Sequence, residues 1–300
     1  MRMLSKTVSA EHLTLSVNLN AKQFDLCNAR ACARASADAY QRTTISVTGT
    51  DTHALIVESP DCIIIAFRGS VSIRNWITDA EFARVTVLAG MTTTVKIHAG
   101  FNAAMNSILV PLITTVRGKR GELQMDGGAP SQKPIFLTGH SLGGALAVLA
   151  AIALHRAGFE ITQVYTFGQP RVGNSDFKDW YNLYLGWRTF RMVYQEDIVP
   201  RIPHLPAFRD PYRHVGQEVF VPSVSPVQTM DDLWFNPPLW RLLMSDIWGL
   251  YRAWLVSKFD AALDPARDHH VGNYTGTLAA IINPPIQQSN NPSIQTDDSR

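Results

Sequence analysis

Short apolar runs bounded by turn residues alternate with longer apolar stretches of helical spacing along most of this chain. TTISVTG, THALIVES and DCIIIAFRGS are rich in β-branched residues and flanked by Gly, Ser, Asp and Pro, so they predict three successive strands. In the last, Ile63, Ile64 and Ile65 form an unbroken apolar run, as expected of a strand covered on both faces. Ahead of them, residues 20–40 place Phe24, Leu26, Cys27 and Ala31 at roughly helical spacing in an Ala-rich segment, which predicts a helix packed on the sheet.

The same alternation continues downstream. A helix is expected from Gly100 to Val116, followed by a surface loop, RGKRGELQMDGGAPSQKP, rich in Gly, Pro and charge. Ile135–Thr138 predicts a short buried strand that runs into GHSLGGALAVLAAIALHRAG, a small-residue helix with a basic end and Gly158 as its C-terminal stop. QVYTFGQP and TFRMVYQ predict two more strands. Strands that alternate with helices imply a predominantly parallel sheet flanked by helices. No polar linker or internal repeat divides the chain, so one domain is expected over residues 1–283, with a disordered tail over 284–300. Between Pro222 and Pro265, four of the seven tryptophans fall in a segment where Trp240, Leu243, Met244, Ile247, Trp248, Tyr251, Trp254 and Leu255 recur at helical spacing. A helical insertion is expected at about 228–262, serving as core, as acyl-site wall or second lid, or as a docking face.

Composition narrows the partners. With 46% hydrophobic and 17% charged residues and a net charge of +2, the chain is an ordinary globular one. Its Lys and Arg are interspersed with Asp and Glu, which excludes the basic stripe of a nucleic-acid binder. The three cysteines Cys27, Cys32 and Cys62 are too few for a disulfide framework. No apolar run near the N-terminus has the length of a secretory signal, which gives a weak expectation of a cytoplasmic protein with peripheral lipid contact. The stretch Leu142–Leu154 is too short for a membrane span, so no transmembrane segment is expected.

The chemistry centres on Gly139-His140-Ser141-Leu142-Gly143, a G-x-S-x-G pattern between an apolar strand and an apolar helix. A sharp strand-to-helix turn holds its serine in a strained conformation and exposes the hydroxyl, and glycines two residues to either side avoid collisions with neighbouring chain. The Leu142 amide, at the helix start, is placed to bind a developing oxyanion. The alternative is a Gly/Ser turn that merely feeds a helix. A serine hydroxyl needs a histidine to take its proton and an acid to hold that histidine, so both partners are sought downstream in the order Ser, Asp, His.

GHSLGGALA, together with IIIAFRGSVSIRNWITDAEF, IHAGF, VYTFGQPRVGN and EDIVPRIP, resembles the class 3 lipases, a group that includes the filamentous-fungal triacylglycerol lipases. The likeness runs from about residue 60 to about 216 and implies an α/β-hydrolase fold with a helical lid. It implies Asp197, in the D-I-V-P segment, as the triad acid, with Glu196 a competitor. Position supports Asp197 as well, since a carboxylate after a parallel strand lies where α/β sheets gather their sites. The family's late D-H pair points to His269 in Asp268-His269-His270-Val271-Gly272-Asn273-Tyr274, with His270 competing. His98, His140 and His214 belong to other motifs, and His12, His53 and His155 lack catalytic context. The resemblance assigns Ser70 as second oxyanion donor beside Leu142, while Arg68 is expected to brace the loop. Residues 71–80 match the family's lid, where Ile73, Trp76 and Ile77 make one apolar face that suits a lid or a core helix.

The expected function is therefore hydrolysis of carboxylic esters of lipids by Ser141, Asp197 and His269 through an acyl-enzyme, with no cofactor and no metal. The expected partner is a lipid or ester substrate at a lipid–water interface, with oligomeric state left open. The same scaffold serves phospholipid, galactolipid and feruloyl esters. A catalytically silent binding module would need a missing triad member. A metal hydrolase would need Asp268, His269 and His270 to converge on one ion, which adjacent residues rarely do.

Overall fold

The computed structural model describes residues 5–10, 13–70, 84–86, 94–120, 122–123, 131–194, 197, 199–202, 212–221, 234–235 and 269–280. The expected lid with Ile73, Trp76 and Ile77, most of the Trp-rich segment, and the 284–300 tail lie outside these residues.

Among the described residues, eight strands form the main sheet, and they lie side by side in the order in which they occur in the sequence. They are β1 (Ile45–Val47), β2 (Thr52–Glu58), β3 (Ile63–Phe67), β4 (Ile135–His140), β5 (Ile161–Phe167), β6 (Thr189–Tyr194), β7 (Gln217–Val221) and β8 (Trp234–Phe235). The first three pair antiparallel. From β3 to β7 every pair is parallel, and β8 returns antiparallel at the edge.

Parallel neighbours need crossovers, and helices supply them. After α1 (Leu26–Asp38), α2 (Ala99–Lys119) links β3 to β4, α3 (Leu142–Arg156) links β4 to β5, α4 (Ser175–Leu185) links β5 to β6, and α5 (Val271–Ala280) closes the series. Right-handed crossovers between strands added in one direction place α2, α3 and α4 on the same face. The core divides accordingly. Ile63, Ile65 and Phe67 of β3 and Ile135 and Leu137 of β4 pack with Phe101, Leu146 and Phe177. Ile64, Ala66 and Phe136, pointing the other way by the period of two, pack with Ala29 and Cys32 of α1 and Tyr274 and Leu278 of α5. Every residue of α3 from Gly143 to Leu154 is buried, as its all-round apolar sequence requires.

Local chemistry sets the ends of these elements. Asp25 caps α1 by accepting the Asn28 N–H at 3.0 Å. Gly158, at φ +84°, follows α3 and returns its N–H to His155, where a β-carbon would be strained.

Two expectations are revised. The 117–134 segment is not wholly a loop, because Glu122–Leu123 pairs antiparallel with Ser131–Gln132. The Trp-rich segment contains an edge strand, Trp234–Phe235, whose backbone pairs with Val219 and Phe220. Helix α2, with 21 residues, is long and apolar enough to cross a membrane by length and composition. It nevertheless buries Phe101, Met105, Ile108, Leu112 and Val116 in the core, and it continues through Pro111 to Lys119.

Candidate active site

Strand β4 delivers Ser141 to the mouth of α3. Its φ of 59° and ψ of −128° put a non-glycine residue in a region that costs an L-residue about 1–3 kcal/mol. The turn closes only because its flanking residues lack side chains. A β-carbon on Gly139 would strike the Gly143 carbonyl, and one on Gly143 would strike the Phe67 carbonyl. The Ser141 N–H reaches across to the Phe167 carbonyl at 2.9 Å, which fastens the turn to β5. The serine is 1% exposed, and its Oγ has no hydrogen-bond partner. Leu142 is the first residue of α3, so its amide has no carbonyl behind it within the helix.

Asp197 follows β6 and is fully buried with His269, which lies two residues ahead of α5. His269 Nδ1 lies 2.9 Å from Asp197 Oδ1 and 2.8 Å from Oδ2. The carboxylate also accepts the Val199 N–H at 2.9 Å and the Tyr274 hydroxyl at 2.6 Å. Burial alone pushes the Asp197 carboxyl up, but His269, the Tyr274 hydroxyl and the Val199 N–H outweigh it and hold the group below its ordinary value. A carboxylate only accepts, so His269 Nδ1 carries the proton and Nε2 presents a lone pair. That Nε2 is buried and has no partner. His270, the competing base, is exposed, and its Nδ1 accepts the Gly272 N–H at 3.0 Å. Glu196 and Asp268 lie outside the described residues.

The serine and the Asp–His pair are brought together by contacts that sequence reading did not assign. The Gly168 N–H is bonded to the Met192 carbonyl at 3.1 Å and its φ is +58°, so the chain turns directly beneath the pair. A β-carbon there would lie 2.7 Å from Asp197 Oδ2 and 2.8 Å from His269 Cε1. His140 stacks on the His269 ring, with centroids 4.5 Å apart at 29°, and its Nε2 lies 2.6 Å from the His269 carbonyl. Tyr274, besides donating to Asp197, accepts the Tyr194 N–H at 3.1 Å, which anchors α5 to the end of β6. Tyr274 stood in the quoted D-H segment without a role. The positive φ of Gly168 had no signal beyond its place after a strand.

Gly69 packs against the elbow, where a β-carbon would come 3.2 Å from Ser141 Cβ, so the next residue, Ser70, enters the loop beside the serine. Arg68 braces this loop through Asp51, with Nη2 to Oδ1 at 2.7 Å, and through its own N–H to the His53 carbonyl. Asp197 and His269 are thus hydrogen-bonded to each other, His140 of the elbow stacks on His269, Leu142 and Gly69 adjoin Ser141, and Ile73, Trp76 and Ile77 fall outside the described residues. The constellation can take a proton from a hydroxyl and hold the resulting imidazolium against a buried carboxylate.

Comparison with known proteins agrees with this architecture. Residues 64–206 match the family model "Lipase (class 3)". A lipase of Rhizomucor miehei is 37% identical over 182 residues, covering 59% of this chain and 47% of that protein. A secreted mono- and diacylglycerol lipase of Fusarium solani is 34% identical over 164 residues, 53% of this chain and 44% of the relative. The chain thus spans about half the length of these curated relatives. Among solved structures, a lipase from Rhizopus microsporus var. chinensis superposes with a TM-score of 0.53 at 27% identity, over 65% of this chain and 73% of that one. A triacylglycerol lipase whose catalytic centre is described as a serine protease triad gives 0.52 at 28% identity, over 65% and 78%. The fold is the α/β-hydrolase fold. The match over residues 64–206 takes in Ser70, the Ser141 elbow and Asp197, and over this stretch the chain is similar to the class 3 lipases.

Proposed function

We propose that this protein hydrolyses carboxylic esters of lipids, with Ser141 as nucleophile, His269 as general base and acid, and Asp197 as the residue that orients His269. The observation that carries the reading is a pair of complementary vacancies in hydrogen bonding. Ser141 Oγ and His269 Nε2 are both buried and unpartnered, while Nδ1 of the same imidazole is held by Asp197. Unsatisfied buried polar atoms cost stability, and their retention at a strained serine and at the imidazole stacked on its neighbour His140 supports a reactive centre.

In the first half-reaction Ser141 Oγ attacks the ester carbonyl carbon as its proton passes to His269 Nε2. The carbonyl electrons collect on oxygen, facing the Leu142 and Ser70 amides. The tetrahedral adduct collapses, the C–O bond to the alcohol breaks, and His269 returns the proton to that leaving oxygen. Water, deprotonated by the same Nε2, then releases the acid and restores Ser141. The preference for lipid esters rests on relatives described as mono-, di- and triacylglycerol lipases.

Hydrolysis of short- and long-chain p-nitrophenyl esters, with fluorophosphonate labelling alongside, tests the reading. Wild type should label once and turn over, and Ser141→Ala should lose both. His269→Ala should fall by several orders of magnitude, whereas His270→Ala should retain activity. A wild type that neither labels nor hydrolyses any chain length refutes it.

A further inference from the structure

Tyr40 stands two residues beyond α1, outside the segment that matches the family model, yet its hydroxyl reaches the centre of the site. The hydroxyl lies 2.8 Å from His140 Nδ1, and Gly69 packs directly against its oxygen. His140 Nε2 in turn meets the His269 carbonyl at 2.6 Å.

The direction of every hydrogen bond in this chain is determined. A carbonyl oxygen only accepts, so the proton of His140 sits on Nε2. Burial pushes the His140 imidazole down to about 3, which keeps the ring neutral and leaves Nδ1 as an acceptor. Burial also pushes the Tyr40 hydroxyl up to about 12, so it keeps its proton and donates it to Nδ1. The chain runs from Tyr40 O–H to His140 Nδ1 and from His140 Nε2–H to the carbonyl of His269. Each member polarises the next in the same sense, which strengthens bonds in a low-dielectric interior.

We propose that Tyr40 and His140 are positioning residues that tie the Gly69–Ser70 loop to the main chain of His269, fixing oxyanion donor and general base relative to one another across Ser141. The inference rests on the ester-hydrolase reading above. Gly69 has no room for a side chain between Tyr40 Oη, the His140 carbonyl and Ser141 Cβ, so the loop seats directly on the tyrosine. His140 serves a second purpose while catalysis proceeds. When His269 becomes a cation, the ring stacked 4.5 Å away must stay uncharged, because two cations at that distance oppose each other. The Tyr40 hydroxyl occupies the nitrogen that would otherwise accept the second proton.

Tyr40→Phe removes the hydroxyl and keeps the ring. With kcat expressed per fluorophosphonate-titrated site, so that any misfolded fraction drops out, the variant should lose about 10- to 100-fold in kcat with KM within about two-fold of wild type. Unchanged kcat per titrated site, even with a lower yield of folded protein, overturns the positioning role. ¹⁵N-resolved imidazole spectra of the wild type give a measurement free of any folding defect. They should show His140 protonated on Nε2 alone from pH 8 to pH 5, and a proton on Nδ1 anywhere in that range overturns the inference. A wild type that neither labels nor hydrolyses overturns the ester-hydrolase reading and this inference with it. An active wild type matched by Tyr40→Phe overturns this inference alone.

Discussion

Gly168→Ala puts a single methyl group where the site has no space for one. The residue's φ is +58°, and there an alanine costs roughly 1–2 kcal/mol that glycine does not. Its β-carbon would also begin 2.7 Å from Asp197 Oδ2, 2.8 Å from His269 Cε1 and 2.9 Å from His269 Nδ1. Ordinary contact for such atoms starts near 3.4 Å, so the Asp–His pair must retreat by about 0.5–0.7 Å or the backbone must move by as much. Forcing extra volume into a packed interior adds about 1–3 kcal/mol, giving a total loss of about 2–5 kcal/mol in urea unfolding followed by circular dichroism. A shift of half an ångström or more in the base that serves Ser141 lowers kcat by about 10²-fold, read as ester turnover per fluorophosphonate-titrated site. The two readouts separate the causes, since the unfolding measurement does not depend on catalysis. A variant with wild-type stability and kcat within two-fold would refute both the tight seat under the pair and the role given to the pair.

Ser141→Gly should be inactive yet more stable than wild type by about 1 kcal/mol, because the positive-φ turn is relaxed and a buried unpartnered hydroxyl is lost; equal or lower stability in denaturant titration would contradict the strain at the elbow. Tyr274→Phe strips one donor from Asp197 and one acceptor from the Tyr194 N–H, so stability should fall by about 1–3 kcal/mol at pH 7 and kcat by about ten-fold, both measured against wild type. Acid should unfold the protein early. His98 is held down to about 4 and His140 to about 3 by burial, and each uses its Nδ1 as an acceptor, so the folded state stays neutral where the unfolded chain protonates. Stability should therefore fall as pH drops below 6.5 by about 1.4 kcal/mol per pH unit from each histidine, roughly 4 kcal/mol in total by pH 5. Asp197, whose carboxyl is depressed, adds a further loss only below 3.8. A urea midpoint that stays flat between pH 7 and pH 5 would sink that account.

The sheet was largely legible because its strands announce themselves. Ile63–Ile65 are apolar without alternation, and the structure covers them on both faces. The elbow was legible because glycine spacing is a direct imprint of contacts such as Gly139 against Gly143. Helix α2 runs on to Lys119, three residues past the expected Val116, where the glycine and charges of Arg117–Lys119 look like the start of a loop. The second ring of the site was invisible for a different reason. Tyr40 and His140 are 100 residues apart, and nothing in either local pattern says that one hydroxyl will meet the other's Nδ1. Likewise, His269 over His270 follows from tertiary geometry: the first is buried against Asp197 while the second is exposed. The short edge strand at Trp234–Phe235 carries only two residues of pairing, too little to compete with a helical period in sequence reading.

The seating of α5 against α1 also sets an order of events during synthesis. Arg30 of α1 bonds the Leu278 carbonyl, and Tyr274 and Leu278 sink into the cluster that α1 covers. The nucleophile turn and the acid both ride on strands that leave the ribosome well before residue 269. A nascent chain can therefore assemble its sheet, with Ser141 already on its strained turn, while the base is still being made. On the proposed function, the newborn protein would carry a silent serine until α5 docks, and its reactivity would be switched on by the last described helix rather than by the formation of the core.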